Sequence, residues 1–176
     1  FYTNNVLENS YNFNYSGDNL VEIISDEGKS TFEYVNNKLS SKKEYFISGS
    51  SYVLVEQKDY NYIGNNVNTE IVMSNYTGNP SYFKVGYDYD NKNDILKNMN
   101  PYLKYCFSFE STVDFSFNNA IFKYNYDSIT SSNKTQSHSY IITYNNDNFP
   151  VSIKKYRTLS NGNVGGLQSE MNIEYN

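Results

Sequence analysis

Tyr11-Asn12-Phe13-Asn14-Tyr15-Ser16-Gly17-Asp18-Asn19-Leu20 carries the pattern that decides the fold. Aromatic residues alternate with asparagines, a short polar turn holding a glycine follows, and an apolar residue closes the unit. Successive side chains of a strand point to opposite faces, so Tyr11, Phe13 and Tyr15 share one face and Asn12 and Asn14 the other. Glycine supplies the left-handed backbone of a tight turn. The stretch therefore reads as a strand entering a β-hairpin.

The unit recurs along the chain. An aromatic-x-Tyr doublet appears at Phe13/Tyr15, Phe32/Tyr34, Tyr60/Tyr62, Tyr87/Tyr89 and Tyr124/Tyr126, with aliphatic versions at Ile142/Tyr144 and Ile173/Tyr175. After Tyr15, Tyr34, Tyr62 and Tyr144 the next apolar anchor comes five residues on, at Leu20, Leu39, Val67 and Phe149. After Tyr89 it comes at six, at Ile95, and after Tyr126 the spacing breaks, with Ile129 three away. Period-two stripes such as Phe83, Val85, Tyr87 and Tyr89 mark antiparallel sheet. The doublet rings Phe32, Tyr62, Tyr87 and Tyr124 are expected to be mostly buried on one face. Asn37, Asn66 and Asn146 are expected at positive φ in the turns, with Gly17 and Gly162.

Composition agrees with this reading. The chain has 176 residues with 20 Tyr, 11 Phe and no Trp. About one residue in six is Asn, well above ordinary usage. Tyr and Phe favour strands and Asn favours turns. The net charge of −5 gives no footprint for nucleic-acid phosphates. Lys42 with Lys43, and Lys154, Lys155 and Arg157, are local clusters that read as solvated strand positions. No stretch approaches the length of a membrane-spanning helix. The chain begins at Phe1 without a Met, so a targeting segment is expected to have preceded it.

One domain over residues 1–176 is expected, with residues 1–9 as a flexible or extended N-terminal segment. Residues 94–100, Asp-Ile-Leu-Lys-Asn-Met-Asn before Pro101, read as an N-capped helical turn stopped by proline. Residues 128–136 are rich in Ser, Thr and Asn and read as a loop.

The unit of aromatic-x-Tyr, four or five polar residues and an apolar residue resembles the YD-type (Rhs-like) hairpin repeat. The best matches are Tyr140-Ile-Ile-Thr-Tyr-Asn-Asn-Asp-Asn-Phe-Pro-Val-Ser-Ile-Lys-Lys155 and Tyr87-Asp-Tyr-Asp-Asn-Lys-Asn-Asp-Ile95. The chain is also similar to uncharacterised secreted lipoproteins of Bacteroidetes-type bacteria, in which a segment like Tyr89-Asp-Asn-Lys-Asn-Asp-Ile-Leu-Lys-Asn98 interrupts the repeats midway. The likeness runs from about Tyr11 to the end. It departs from the pattern in that Asp follows only Tyr89 and Tyr126 among the second tyrosines. The resemblance implies export to the cell envelope, removal of a signal peptide and a lipidated cysteine upstream of Phe1. It supplies no catalytic residue.

Residues able to do chemistry are few. Cys106 is the only cysteine and His138 the only histidine. Neither a disulfide, a cysteine metal site nor a histidine pair for zinc can be built from them. Cys106, within Tyr105-Cys106-Phe107, reads as a small core residue, and His138 as a solvated loop residue. Asp88 and Asp90 share a strand face and Asp94 follows, which raises calcium binding or glycoside hydrolysis. The EF-hand pattern fails, with Lys92 at the fifth position and Met99 at the twelfth. Glu8, Asp59, Glu110 and Asp114 have no readable partner. The triplets at Asn14, Asn75 and Asn133 carry no weight in so Asn-rich a chain. No cofactor is expected.

The expected fold is all-β: a meander of eleven to thirteen antiparallel strands forming one long, strongly twisted or curled sheet, with aromatic stripes inside and the short helix near 94–100 on that face. Closure to a barrel remains open, and an immunoglobulin-like sandwich is the disfavoured alternative. The expected function is a non-catalytic binding or scaffolding role in an envelope lipoprotein whose partner is a glycan or a surface protein. The alternative is a carbohydrate-binding domain, with exposed Tyr as the platform though Trp is absent, or a carboxylate-based hydrolase.

Overall fold

The computed structural model describes residues 2–3, 6–7, 10–94, 96, 116–159 and 161–175. Two short strands, β1 (Tyr2–Thr3) and β2 (Val6–Leu7), pair with each other near the N-terminus. Then follow β3 (Tyr11–Ser16), β4 (Asn19–Ser25), β5 (Gly28–Val35), β6 (Lys38–Ser48), β7 (Ser51–Ile63) and β8 (Asn66–Ser74). The rest are β9 (Ser81–Tyr89), β10 (Ala120–Tyr126), β11 (Lys134–Tyr144), β12 (Pro150–Thr158) and β13 (Val164–Asn172). Strands β3 to β13 form an 11-stranded sheet in sequence order, each bonded to the next, as the hairpin repeat predicts.

Register explains the five-residue step. Tyr15 lies across from Leu20 and Tyr34 across from Leu39, so in these two hairpins the apolar anchor is the cross-strand partner of its tyrosine, whereas Tyr144 lies across from Pro150, one residue past Phe149. The ladder shifts immediately before the tyrosine, between Asn14 and Tyr15, Glu33 and Tyr34, and Thr143 and Tyr144. These bulges leave one extra residue opposite the doublet and re-aim the strand after the anchor. Asn36 and Asn37, at φ 51 and 60, make the two-residue turn between β5 and β6, as a type I′ hairpin requires. Two expected turn positions are corrected. Gly64, at φ 58, takes the role expected of Asn66, and Asn148, at φ 63, that of Asn146. Asn66 opens β8 instead.

The chain divides into two compact units, residues 1–60 with 71–82 and residues 61–70 with 83–176. In the first, Leu20 and Leu39 are completely enclosed and Phe32, Val55 and Tyr60 are buried. Each such aliphatic side chain contributes about 1.5–3 kcal/mol of transfer free energy. In the second, Val85, Tyr87 and Ala120 form a cluster covered by Tyr89, and Val67 is enclosed. Of the doublet rings expected inside, Phe32 and Tyr87 are buried while Tyr62 and Tyr124 are partly so. Phe13 and Tyr15 remain 45% and 52% exposed, because β3 is a terminal strand of the ladder with a neighbour on one side only.

Asparagines tie the loops of the second unit together. Asn66 Oδ1 accepts from the amides of Phe117 and Asn118 at 2.9 and 3.2 Å. Asn118 Nδ2 donates to the carbonyl of Lys92 and Asn119 Nδ2 to that of Asn93, at 2.7 and 2.8 Å.

Two expectations fail. The helical segment near 94–100 is not found: Asp94 and Leu96 are not helical, the other residues of the segment lie outside the described ones, and no helix occurs among the described residues. At the described start of the segment the Asp94 carboxylate accepts the Leu96 amide at 2.7 Å, a side-chain turn that no described helical residue continues. Nor does the sheet curl on itself: the strand order is linear, and β3 and β13 do not pair with each other.

Candidate functional site

The first unit carries a groove of about 330 Å³ over the turn between β4 and β5. That turn is fixed by Ser25, whose hydroxyl donates to the Gly28 carbonyl and accepts the Glu27 amide, each at 3.3 Å. Gly28 pairs with Phe46, and a Cβ on it would sit 2.1 Å from the carbonyl oxygen of Tyr45. Only glycine fits this approach, and its bare backbone forms part of the groove.

Paired residues of an antiparallel ladder share a face. Tyr11 pairs with Ser25, Ile23 with Ser30, Ser30 with Glu44 and Gly28 with Phe46. Tyr11, Ser25, Ser30, Glu44 and Phe46 therefore stand on one side of the sheet, around the groove. Tyr76, from the turn after β8, completes the lining. Tyr11, Phe46 and Tyr76 are 45%, 44% and 65% exposed. Partial desolvation, and then the carboxylates of Glu44 and Glu56, hold the Tyr76 phenol above its ordinary value. Both acids carry lysine partners, Lys42 to Glu44 at 2.6 Å and Lys58 to Glu56 at 2.9 Å.

On the opposite face Lys29 meets Glu22 at 3.2 Å and lies 5.3 and 4.8 Å from the ring centres of Tyr45 and Tyr52. The side-chain amide of Asn14 and then Lys29 hold the Glu22 carboxyl below its usual range. The groove thus offers exposed rings beside hydroxyls and a carboxylate acceptor, which suits a ligand with both CH faces and hydroxyl groups.

The acids raised by the sequence have separate partners. Asp88 accepts the Tyr124 hydroxyl at 2.5 Å and faces Lys134 at 3.8 Å. Asp90 accepts the amides of Lys92 and Asn119 at 2.9 and 3.2 Å, and the hydroxyl of Tyr144. Asp94 is buried and accepts the Leu96 amide. Asp59 accepts both bonds from Gln57, each at 3.0 Å. Among the described residues no three of His, Cys, Asp and Glu come together in a way that could hold a metal ion. Glu8, Cys106, Glu110 and Asp114 lie outside the described residues. Asn14 and Asn75 hold neighbouring strands, bonding Glu22 at 2.8 Å and the Leu54 carbonyl at 3.3 Å, while Asn133 lies just before β11.

His138 is not in a loop. It lies in β11, half-buried, beside Ser137 Oγ at 3.1 Å. The loop ends at 133, where pairing to β10 and β12 overrides the Ser/Thr/Asn composition. Lys154 is also separated from Lys155 and Arg157: it faces Glu170 at 3.4 Å on the opposite side of β12. Sequence reasoning missed the groove because its residues come from distant segments. Gly28, inside the acidic turn Asp26-Glu27-Gly28, was the available signal.

No family model matches the chain, and no curated protein does. Among solved structures it is similar to a protein of unknown function from Bacteroides fragilis, with a TM-score of 0.49, 10% identity and coverage of 82% of this chain and 90% of that one. A porin-like protein from Bacteroides vulgatus is similar at a TM-score of 0.43 and 14% identity, over 94% of this chain and 85% of that one. A porin-like protein from Bacteroides uniformis follows at 0.38 and 11% identity, over 94% and 78%.

Proposed function

We propose that the chain is a non-catalytic binding domain of an exported envelope lipoprotein built from YD-type hairpins, and that its ligand is a neutral glycan held in the groove. The carrying observation is the trio of exposed rings, Tyr11, Phe46 and Tyr76, around Ser25, Ser30 and Glu44. Rings stack on the CH faces of a sugar, and the hydroxyls and carboxylate bond its OH groups. The absence of a catalytic role is supported by the acids themselves: Asp88, Asp90 and Asp94 each hold a tyrosine or a backbone amide. Export and lipidation come from the repeat resemblance alone.

The test is calorimetric titration of the protein with a panel of neutral hexose and hexosamine oligosaccharides, beside Phe46→Ala and Tyr76→Ala. Loss of a stacking ring should weaken binding about tenfold, the equivalent of about 1.4 kcal/mol. Binding unchanged in both variants, or no binding across the panel, removes the glycan reading. Fractionation of cells making the full-length protein tests the envelope assignment.

A further inference from the structure

A second feature, independent of the groove, lies in the other unit. Lys123 pairs with His138 across β10 and β11, and His138 with Arg157 across β11 and β12. The three therefore stand in one row on one face, with paired Cα atoms about 4.5–5.5 Å apart. Lys155, two residues before Arg157 and paired with Tyr140, joins them on that face. Gln168 of β13 bonds His138, and Ser169 stands across from Lys155. The Lys123 ammonium lies 5.9 Å from the Tyr87 ring centre.

The charge on this face is one-sided. Strands β10, β11 and β12 contain no Asp or Glu, and the one acid of β13, Glu170, is turned to the other face with Lys154. Farther along the row, Glu70 lies beyond Tyr87 and accepts its hydroxyl at 3.0 Å. In a chain of net charge −5, three cations and the only histidine thus gather where no carboxylate of β10–β13 faces them.

We infer that this face of β10–β12 binds a phosphate or sulfate group, with Lys155 and Arg157 as its fixed cations, Lys123 at its flank and His138 as a proton-dependent donor. A tetrahedral oxyanion matches a fork-shaped guanidinium beside an ammonium, and its double charge matches several converging cations. Tyr140 and Gln168 add neutral donors from the same face. A nucleic-acid strand fits poorly, since the chain as a whole repels it.

Burial, and then the positive charges of Lys155 and Lys123 and further that of Arg157, hold His138 below its ordinary value. The groups facing it are Lys123 from β10, Lys155 and Arg157 from β12 and the neutral Gln168 from β13. A bound oxyanion cancels that repulsion, so His138 takes up a proton more easily and affinity rises as pH falls.

As the only histidine, His138 gives one imidazole proton resonance, and its pH midpoint is the readout. Sodium sulfate should raise the midpoint saturably by about half a unit or more over sodium chloride at equal ionic strength. Lys155→Gln and Arg157→Gln should each weaken the sulfate effect about tenfold, while Lys154→Gln on the opposite face should keep it. A monosaccharide sulfate run in parallel distinguishes an ester from the free ion: tighter binding names the ester, equal binding the ion, and both support the site. A midpoint that moves alike in sulfate and chloride, or in Lys154→Gln and Arg157→Gln, overturns it. The wild-type comparison decides the matter even where a variant does not fold.

Discussion

The hydroxyl of Tyr34 donates a 2.9 Å hydrogen bond to the backbone carbonyl of Leu20, the residue that lies across from Tyr15 in the preceding hairpin. Tyr175 does the same to Pro150, the partner of Tyr144, at 2.8 Å. Tyr89 reaches the carbonyl of Val67, the anchor after Tyr62, also at 2.8 Å. In these three doublets the second tyrosine is a latch on an earlier hairpin, a role that Phe could not fill, whereas the Tyr144 hydroxyl goes to the Asp90 carboxylate instead. Tyr34→Phe should cost about 1 kcal/mol in denaturant unfolding, against about 3–5 kcal/mol for Phe32→Ala in the core. No cost for Tyr34→Phe would mean that the hydroxyl does nothing there.

The turns give a contrasting pair. Asn37→Val should lose about 1–3 kcal/mol from left-handed strain, and Asn37→Gly should be neutral or slightly stabilising. Asn66→Gly should destabilise by about 1–3 kcal/mol, because its side chain satisfies two amides of the 116–119 segment. Thermal melts of the three variants check the ordering.

Gly28→Ala should destabilise by about 1–3 kcal/mol or more and deform the groove, since the new methyl meets a carbonyl oxygen of the ladder. Gly86→Ala should cost less, because the nearest atom there, at 2.9 Å, belongs to the Tyr126 ring, which can shift. Unfolding free energies of the two variants, measured side by side, test the difference.

Alkaline stability should fall late. Burial, and then the Asp88 carboxylate, push the Tyr124 phenol up from 10.0 to about 12. A raised folded value favours the neutral phenol in the fold. That stability is fully present below 10.0 and is lost as pH rises through about 12. Tyr89 and Tyr144 are shifted in the same direction, chiefly by burial. Phenolate absorbance should rise in two stages, and Asp88→Asn should move one tyrosine into the earlier stage.

What was legible in the sequence followed from period two. The doublets placed the strands, and the five-residue step found Leu20, Leu39 and Val67, among the most enclosed side chains of the fold. Two things were not legible. A stripe records which face a ring shares but not whether another element covers it, so Phe13 and Tyr15 looked like Phe32. Composition also misled where tertiary pairing won: residues around Thr135 and His138 look like a loop until β10 and β12 flank them. The groove and the cationic row are cross-strand facts, fixed by register and by bulges, and a single strand's residues do not reveal them.

The sequence-ordered ladder bears on folding speed. Each strand of the sheet bonds to the next in sequence, so apart from β9 with β10, which are separated by residues 90–119, the pairings close short loops and the contact order is low for an all-β chain. Such a chain can nucleate at a well-latched hairpin and zip outward one strand at a time, as repeat arrays do. Amide exchange should then be graded, fastest in β3 and β13 and slowest near the enclosed anchors, with the terminal strands fraying before the middle opens.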